Sequence, residues 1–188
     1  GALAAPPEGL REDLRRFASL VGASSSNRRE FSIVYDNIFF RVSRIDSVNG
    51  VWYAARRSPD KVPALHDLSF PHKLVEAILG LGQKEGLIIL SGATGQGKTT
   101  TASAMVRSFL ERHGDIAVTV EDPPELPLDG AVGEHGWCFQ TEVHNGNFGD
   151  ALVRSLRYQP RIIMIGEVRT VEAAKHMIRA SVNGHLVI

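Results

Sequence analysis

Nine consecutive residues carry the plainest chemistry in this chain: Gly92-Ala93-Thr94-Gly95-Gln96-Gly97-Lys98-Thr99-Thr100. They fit the pattern G-x-x-x-x-G-K-[ST] at every fixed position. Gly92, Gly95 and Gly97 lack a Cβ, so the backbone can wrap closely around an anion. The amides of Thr94, Gln96 and their neighbours would then converge on phosphate, and a helix beginning near Lys98 would add the positive end of its dipole. Lys98 is the candidate for the β- and γ-phosphates and the Thr99 hydroxyl for Mg²⁺, with Thr100 a further nucleotide-binding candidate. The alternative is a Gly-rich turn that binds nothing. The flanks argue against it, because the apolar run 87–90 predicts a strand and 99–112 predicts a helix.

Two groups of carboxylates follow. The run Arg161-Ile162-Ile163-Met164-Ile165-Gly166-Glu167 reads as a four-residue apolar strand ending in Gly-Glu. A carboxylate at the tip of a buried strand beside a phosphate loop suits a Mg²⁺-water contact, which makes Glu167 a candidate. Upstream, Val118-Thr119-Val120-Glu121-Asp122-Pro123-Pro124-Glu125 places three carboxylates within five residues after a strand. Like charges this close raise one another's pKa unless a cation compensates, and Mg²⁺ would do so. The plainer reading is a solvated acidic loop.

Composition sets bounds on these readings. The 188 residues are 43% hydrophobic and 22% charged, ordinary for a globular chain with ample core material. Lys plus Arg equals Asp plus Glu at 21 each, which gives no global footprint for nucleic acid. The single cysteine, Cys138, excludes an internal disulfide and a multi-cysteine zinc site, and its apolar neighbours predict a buried, inert thiol. No apolar run approaches the roughly 20 residues of a membrane span. His113 and His144 read as surface or packing residues. Trp52 and Tyr53 read as strand core rather than adenine contacts.

The elements that must position the loop fall into two groups. Residues 1–9, rich in Ala, Pro and Gly, read as a loose leader, and the apolar spacing over 10–21 predicts an amphipathic helix. Residues 23–27 read as a loop. Alternation over 31–35, 38–42 and 51–55, with turn signals at Asp36-Asn37 and Asn49-Gly50, predicts an antiparallel meander. These make a first domain over 1–60, with 58–63 as linker. The second domain, 61–188, alternates helix and strand: helix 67–81, strand 87–90, helix 99–112, strand 116–120, a Pro-rich loop, strand 138–143, helix 148–158, strand 162–165, helix 171–182 and strand 185–188. That order predicts a parallel sheet with ligand at the carboxyl ends of its strands.

The phosphate loop, Glu121-Asp122-Pro123-Pro124-Glu125, Leu156-Arg157-Tyr158-Gln159-Pro160, Ile165-Gly166-Glu167-Val168-Arg169 and Gly184-His185-Leu186-Val187, in this order, resemble the secretion ATPases of type II and type IV systems. The resemblance covers about 31–188. It implies an α/β fold, with a RecA-like P-loop NTPase domain preceded by a small α+β PAS-like domain. It implies hydrolysis of ATP with Mg²⁺. Glu125 matches the glutamate that activates water, Glu167 the Walker B glutamate, Glu121 a member of the acidic box that serves the metal, and His185 the first histidine of the histidine box. Arg41 and Arg56 match arginines of the first domain that approach the nucleotide, and Arg154, Arg157 and Arg169 are further arginines near the site. The implied partners are further copies of the chain, in a hexamer, and inner-membrane secretion or pilus machinery, with a cytoplasmic bacterial location peripheral to that membrane. Nucleic acid is not an expected partner.

The chain departs from the family pattern at Gln159 and Arg161, where Asp is usual, and at Thr170, where Asp follows the Arg. It ends within the strand bearing the histidine box, which reads as a C-terminal truncation. Three functions compete: a hydrolysing motor subunit, a nucleotide-dependent docking module with little turnover, and another phosphate-loop class such as a helicase or small-molecule kinase. The acidic box and the meander argue against the third.

Overall fold

The structure, a computed structural model, describes residues 5, 7–25, 28–143 and 146–188. The chain divides into two units, Gly1–Ser58 and Pro59–Ile188. Most of the leader, part of the 23–27 loop and His144 lie outside the described residues.

In the first unit, helix α1 (Arg11–Ser24) packs beside a three-stranded antiparallel sheet of β1 (Glu30–Tyr35), β2 (Ile38–Ser47) and β3 (Gly50–Arg57), in that order. Phe31, Ile33 and Val42 point to one face of the sheet and meet Val21, Phe17 and Leu20 of the helix. Asp36 and Asn37 both take positive φ, 50° and 59°, as a two-residue hairpin turn requires. Trp52 is not core: it is 55% exposed. The register pairs it with Ile45, and its neighbours Val51 and Tyr53 are exposed as well, so β3 forms an open edge with little covering it. Tyr53 turns its ring edge-on to Phe31.

The second unit holds a six-stranded sheet in the order β4-β9-β8-β5-β7-β6. Its strands are β4 (Gly86–Leu87), β5 (Asp115–Glu121), β6 (Gly130–Val132), β7 (Gly136–Glu142), β8 (Ile162–Ile165) and β9 (Leu186–Val187). All neighbours are parallel except β6, which runs antiparallel on β7. The sheet is therefore mixed, and the segment read as a Pro-rich loop contains its edge strand. A turn at Gly133, φ +67°, folds β6 back onto β7.

Helix α3 (Lys98–His113) packs Met105, Phe109 and Leu110 into the core with Cys138, Ile162, Met164 and Leu186. Helices α4 (Phe148–Ser155) and α5 (Val171–Val182) are capped at their N-termini by Asn147 and Thr170 side chains, respectively. The helix expected over 67–81 is shorter. A 3-10 turn spans Leu65–Asp67 and α2 covers His72–Leu79, because Pro71 disfavours helical geometry in the residue before it. The segment after Pro59 is anchored rather than free. Val62 and Leu65 are buried, Leu65 N–H donates to Ser108 Oγ (2.9 Å), and the Arg107 guanidinium donates to Val62 O.

Gly136 begins β7 under tight constraint. A Cβ there would lie 2.5 Å from Val132 O and 2.8 Å from Leu110 Cβ. Gly136→Ala should lower stability by about 1–3 kcal/mol through overpacking. Urea unfolding measures this, and an unchanged midpoint would contradict the close approach.

Candidate nucleotide site

The chain leaves β4, runs through the Gly-rich segment and enters α3 at Lys98. Gly95 and Gly97 take φ of +81° and +80°, the left-handed region glycine enters without strain. A Cβ at either would meet no atom within 4 Å, so the backbone angle, not crowding, demands glycine there. Gly97 caps α3 with no side-chain bond. The first N–H groups of a helix have no intrahelical acceptor, so those of Lys98, Thr99 and Thr100 point outward with the positive dipole end. The segment holds its shape with Gln96 N–H donating to Ala93 O (3.3 Å) and Lys98 Nζ to the same oxygen (2.9 Å). Thr94 and Gln96 are exposed.

Tertiary structure brings the loop to one of the two carboxylate groups directly. Lys98, Thr99 and Glu167 line one cavity of about 240 Å³, walled by apolar residues including Leu90, Met164 and Ile188. Glu167 is a third exposed and accepts from Arg169 Nε at 2.8 Å. Arg154 lies elsewhere, in a separate cavity with Glu142 and Asp150, and Arg157 is exposed on the 3-10 turn after α4.

The acidic loop begins beside this cavity. Glu121 ends β5 and is 2% exposed. A Cβ on Gly166 would sit 3.4 Å from both Cα and Cγ of Glu121, so the tips of β5 and β8 nearly touch. Burial pushes the Glu121 carboxyl above its ordinary range, and the charge of Glu125 adds to that. The opposing pulls are hydrogen bonding from Gln140, Thr119 and the Glu125 backbone. Gln140 Nε2 donates to Glu121 Oε1 at 2.8 Å, whereas Thr119 Oγ1, fully buried, makes no well-formed bond. Glu125 is half-buried and does not line the Lys98 cavity. Cys138 is buried as expected, and burial, then Glu121 and Asp129, push its thiol up to about 12.

His185 is not brought to the loop. It precedes β9, and its Nδ1 lies 2.6 Å from Pro160 O, at the start of β8, the sheet edge opposite the carboxyl tips. Arg161 is at that same edge, with its guanidinium donating to Gln83 O. Thr170 Oγ1 accepts from Ala173 N–H (3.2 Å) as the N-cap of α5, a role Asp fills equally well.

In the first unit, Arg41 and Arg56 are direct cross-strand partners on β2 and β3. The alternation turns both away from the face of Val42 and α1. Like charges placed opposite on a sheet disfavour the fold. Arg41 Nη2 donates to Glu30 Oε2 at 2.6 Å, and Arg56 is exposed.

The residue missed in the sequence is Gln140. Its signal was an amide sharing a strand face with buried Cys138, next to an acidic loop.

A Gly-rich loop feeding a helix at the carboxyl edge of a mixed α/β sheet defines a phosphate-loop domain. The family model described as type II/IV secretion system protein matches residues 25–188, and the chain belongs to that family. It is 35% identical over 153 residues to the type IV pilus ATPase PilU of Pseudomonas aeruginosa, covering 79% of this chain and 38% of that protein. The crystal structure of the pilus retraction motor PilT with bound ADP superposes with a TM-score of 0.72 at 30% identity, over 94% of this chain and 52% of that one. The Legionella pneumophila ATPase DotB superposes with a TM-score of 0.75 at 24% identity, over 92% of this chain and 52% of that one, a likeness of fold. The chain thus spans about half the length of these relatives or less. Among the described residues no helix is long and apolar enough to cross a membrane.

Glu121 generates a testable pH dependence. Its folded pKa is raised, so the folded state holds the proton more tightly than the unfolded state, and stability falls as pH rises from the ordinary carboxyl range through the raised value. Glu121→Gln should therefore be more stable than the parent at pH 7, with the gap closing by about pH 3, well below the ordinary carboxyl range, where both states of the parent are protonated. Urea midpoints at the two pH values decide it. An equal gap at both would rule out a titrating Glu121.

Proposed function

We propose that this chain is the nucleotide-hydrolysing part of a motor subunit in a bacterial secretion, type IV pilus or conjugation-type system. Lys98, Thr99 and Glu167 lining one cavity at a helix N-terminus with no side-chain cap carries the reading. The names of the relatives support it: PilU is described as an ATPase, and PilT was solved with ADP.

The residues fit ATP and Mg²⁺. Amides from Gly95 to Thr99 bind the β- and γ-phosphates, and Lys98 exchanges Ala93 O for a phosphate oxygen. Thr99 and Glu167 would hold Mg²⁺, directly or through water, and Glu121 is the third metal candidate. Bound Mg²⁺ would neutralise phosphate charge. The Thr99 hydroxyl and the Glu167 carboxylate line the same cavity and are the oxygen donors that Mg²⁺ prefers. Glu125 takes the proton of the attacking water. Arg41 and Arg56 supply mobile positive charge to the γ-phosphate as domains close, coupling hydrolysis to rigid-body motion. The active form is a homo-oligomeric ring, a hexamer, on the cytoplasmic side of the inner membrane, docked on a membrane machinery protein.

A docking module with little turnover is the second reading, favoured by the Glu167–Arg169 ion pair, which occupies one oxygen of the Glu167 carboxylate and competes there with a metal. The departures at Arg161 and Thr170 do not favour it, since both side chains have structural partners, Gln83 O and Ala173 N–H.

Steady-state ATP hydrolysis against protein concentration separates the readings. For the motor, the rate per subunit rises with concentration, Lys98→Ala abolishes binding, and Glu125→Gln keeps binding while kcat falls about 10²–10⁴-fold. Tight binding without turnover at any concentration would leave the docking module standing. Arg56→Ala should lower kcat yet stabilise the first unit by roughly 0.2–1 kcal/mol, through relief of the cross-strand repulsion. Turnover equal to the parent would remove Arg56 from the mechanism.

A further inference from the structure

The segment between β5 and β6 carries Glu125, yet it has little regular structure of its own. One residue outside it, Gln140, holds it at several points. Gln140 Nε2 donates to Glu121 Oε1 and to Leu126 O, each at 2.8 Å. Gln140 Oε1 accepts from Leu128 N–H at 3.2 Å. Its backbone N–H donates to Asp129 Oδ1 at 2.8 Å. A primary amide offers two donors and one acceptor oxygen, and here both kinds of group are used on the same loop. Glu121, at the end of β5, and three residues after Glu125, namely Leu126, Leu128 and Asp129, are thus tied to one residue of β7. Leu126 and Leu128 are buried, so their backbone groups have no water to fall back on, and an unmet partner there is costly.

The contacts leave Glu125 as the half-buried member between two fixed points. Its own N–H turns toward the Glu121 carboxyl. Gln140 does not line the cavity of Lys98, Thr99 and Glu167. We propose that Gln140 is a positioning residue: its amide grips Glu121, Leu126 and Leu128 together and so fixes where Glu125 presents its carboxylate to the attacking water. This rests on the hydrolytic reading of the site above. No other residue type of similar size offers the same set of bonds. A leucine side chain offers none of the three side-chain bonds, and an ionised glutamate keeps only the acceptor for Leu128 while facing Glu121 with like charge; the backbone bond to Asp129 survives in both.

The test compares the full-length protein with Gln140→Leu and Gln140→Glu variants. Three quantities are read: the affinity for a fluorescent ATP analogue, kcat for ATP, and hydrogen exchange of the amides over 125–128. The expected result is affinity within about twofold of the parent, kcat lower by about 100-fold, as a misplacement of about 1 Å costs, and faster exchange. If Gln140→Leu does not fold, Gln140→Glu decides. Faster exchange with an unchanged kcat would overturn the proposal. So would a joint loss of nucleotide binding and thermal stability in both variants, which would make Gln140 a packing residue. A parent protein that binds ATP and never releases phosphate sinks the hydrolytic reading and this inference with it. Normal parental turnover shared by both variants sinks the inference alone.

Discussion

Met105, Val106, Phe109 and Leu110 are buried on the face of α3 that meets the sheet. Each contributes about 1.5–3 kcal/mol by leaving water. This contact fixes the helix axis, and through it the direction of the N–H groups at Lys98 and Thr99. The phosphate loop itself is glycine-rich and exposed, with two of its own hydrogen bonds converging on Ala93 O. Such a segment could not define an anion site alone. A rigid helix ends it and a short, half-buried strand begins it, and these two fix its place.

Parallel pairing then sets what else can gather there. In a parallel sheet every strand delivers its following loop to the same edge. The tips of β5 and β8 are adjacent, because Val118 pairs with Ile163 and Val120 with Ile165. Glu121 and Glu167 therefore reach neighbouring positions from segments 46 residues apart in sequence. Strand β9 lies between β8 and β4, bringing Ile188 into the wall of the cavity. The same logic sends His185 and Arg161 away, since both precede their strands.

A tension runs through the acidic loop. Burial opposes a charged Glu121, while the Gln140 amide and a backbone N–H favour it. The glutamate is thus held in place by bonds rather than by solvation. In the first unit a similar tension appears in milder form, where Arg41 and Arg56 stand opposite each other on adjacent strands. Both are arrangements that packing alone does not reward.

Much was legible from residue order, because its causes are local. The glycines and lysine of the phosphate loop, the hairpin turn at Asp36-Asn37 and the strand running into Glu167 each follow from backbone freedom or from periodicity over a few residues. Element ends were less legible: α2 starts late because of Pro71, and β6 was hidden in a Pro-rich stretch whose pairing with β7 depends on a turn at Gly133. Trp52 read as core because aromatic residues in strands usually are, but which face is covered depends on where α1 packs. Only the tertiary structure decided the strand order, the meeting of Lys98, Thr99 and Glu167, the distance of His185 from them, and the grip of Gln140 on a loop reached through β6. Those are long-range pairings. They depend on which strand finds which neighbour, and residue types along the chain do not encode that at any fixed spacing.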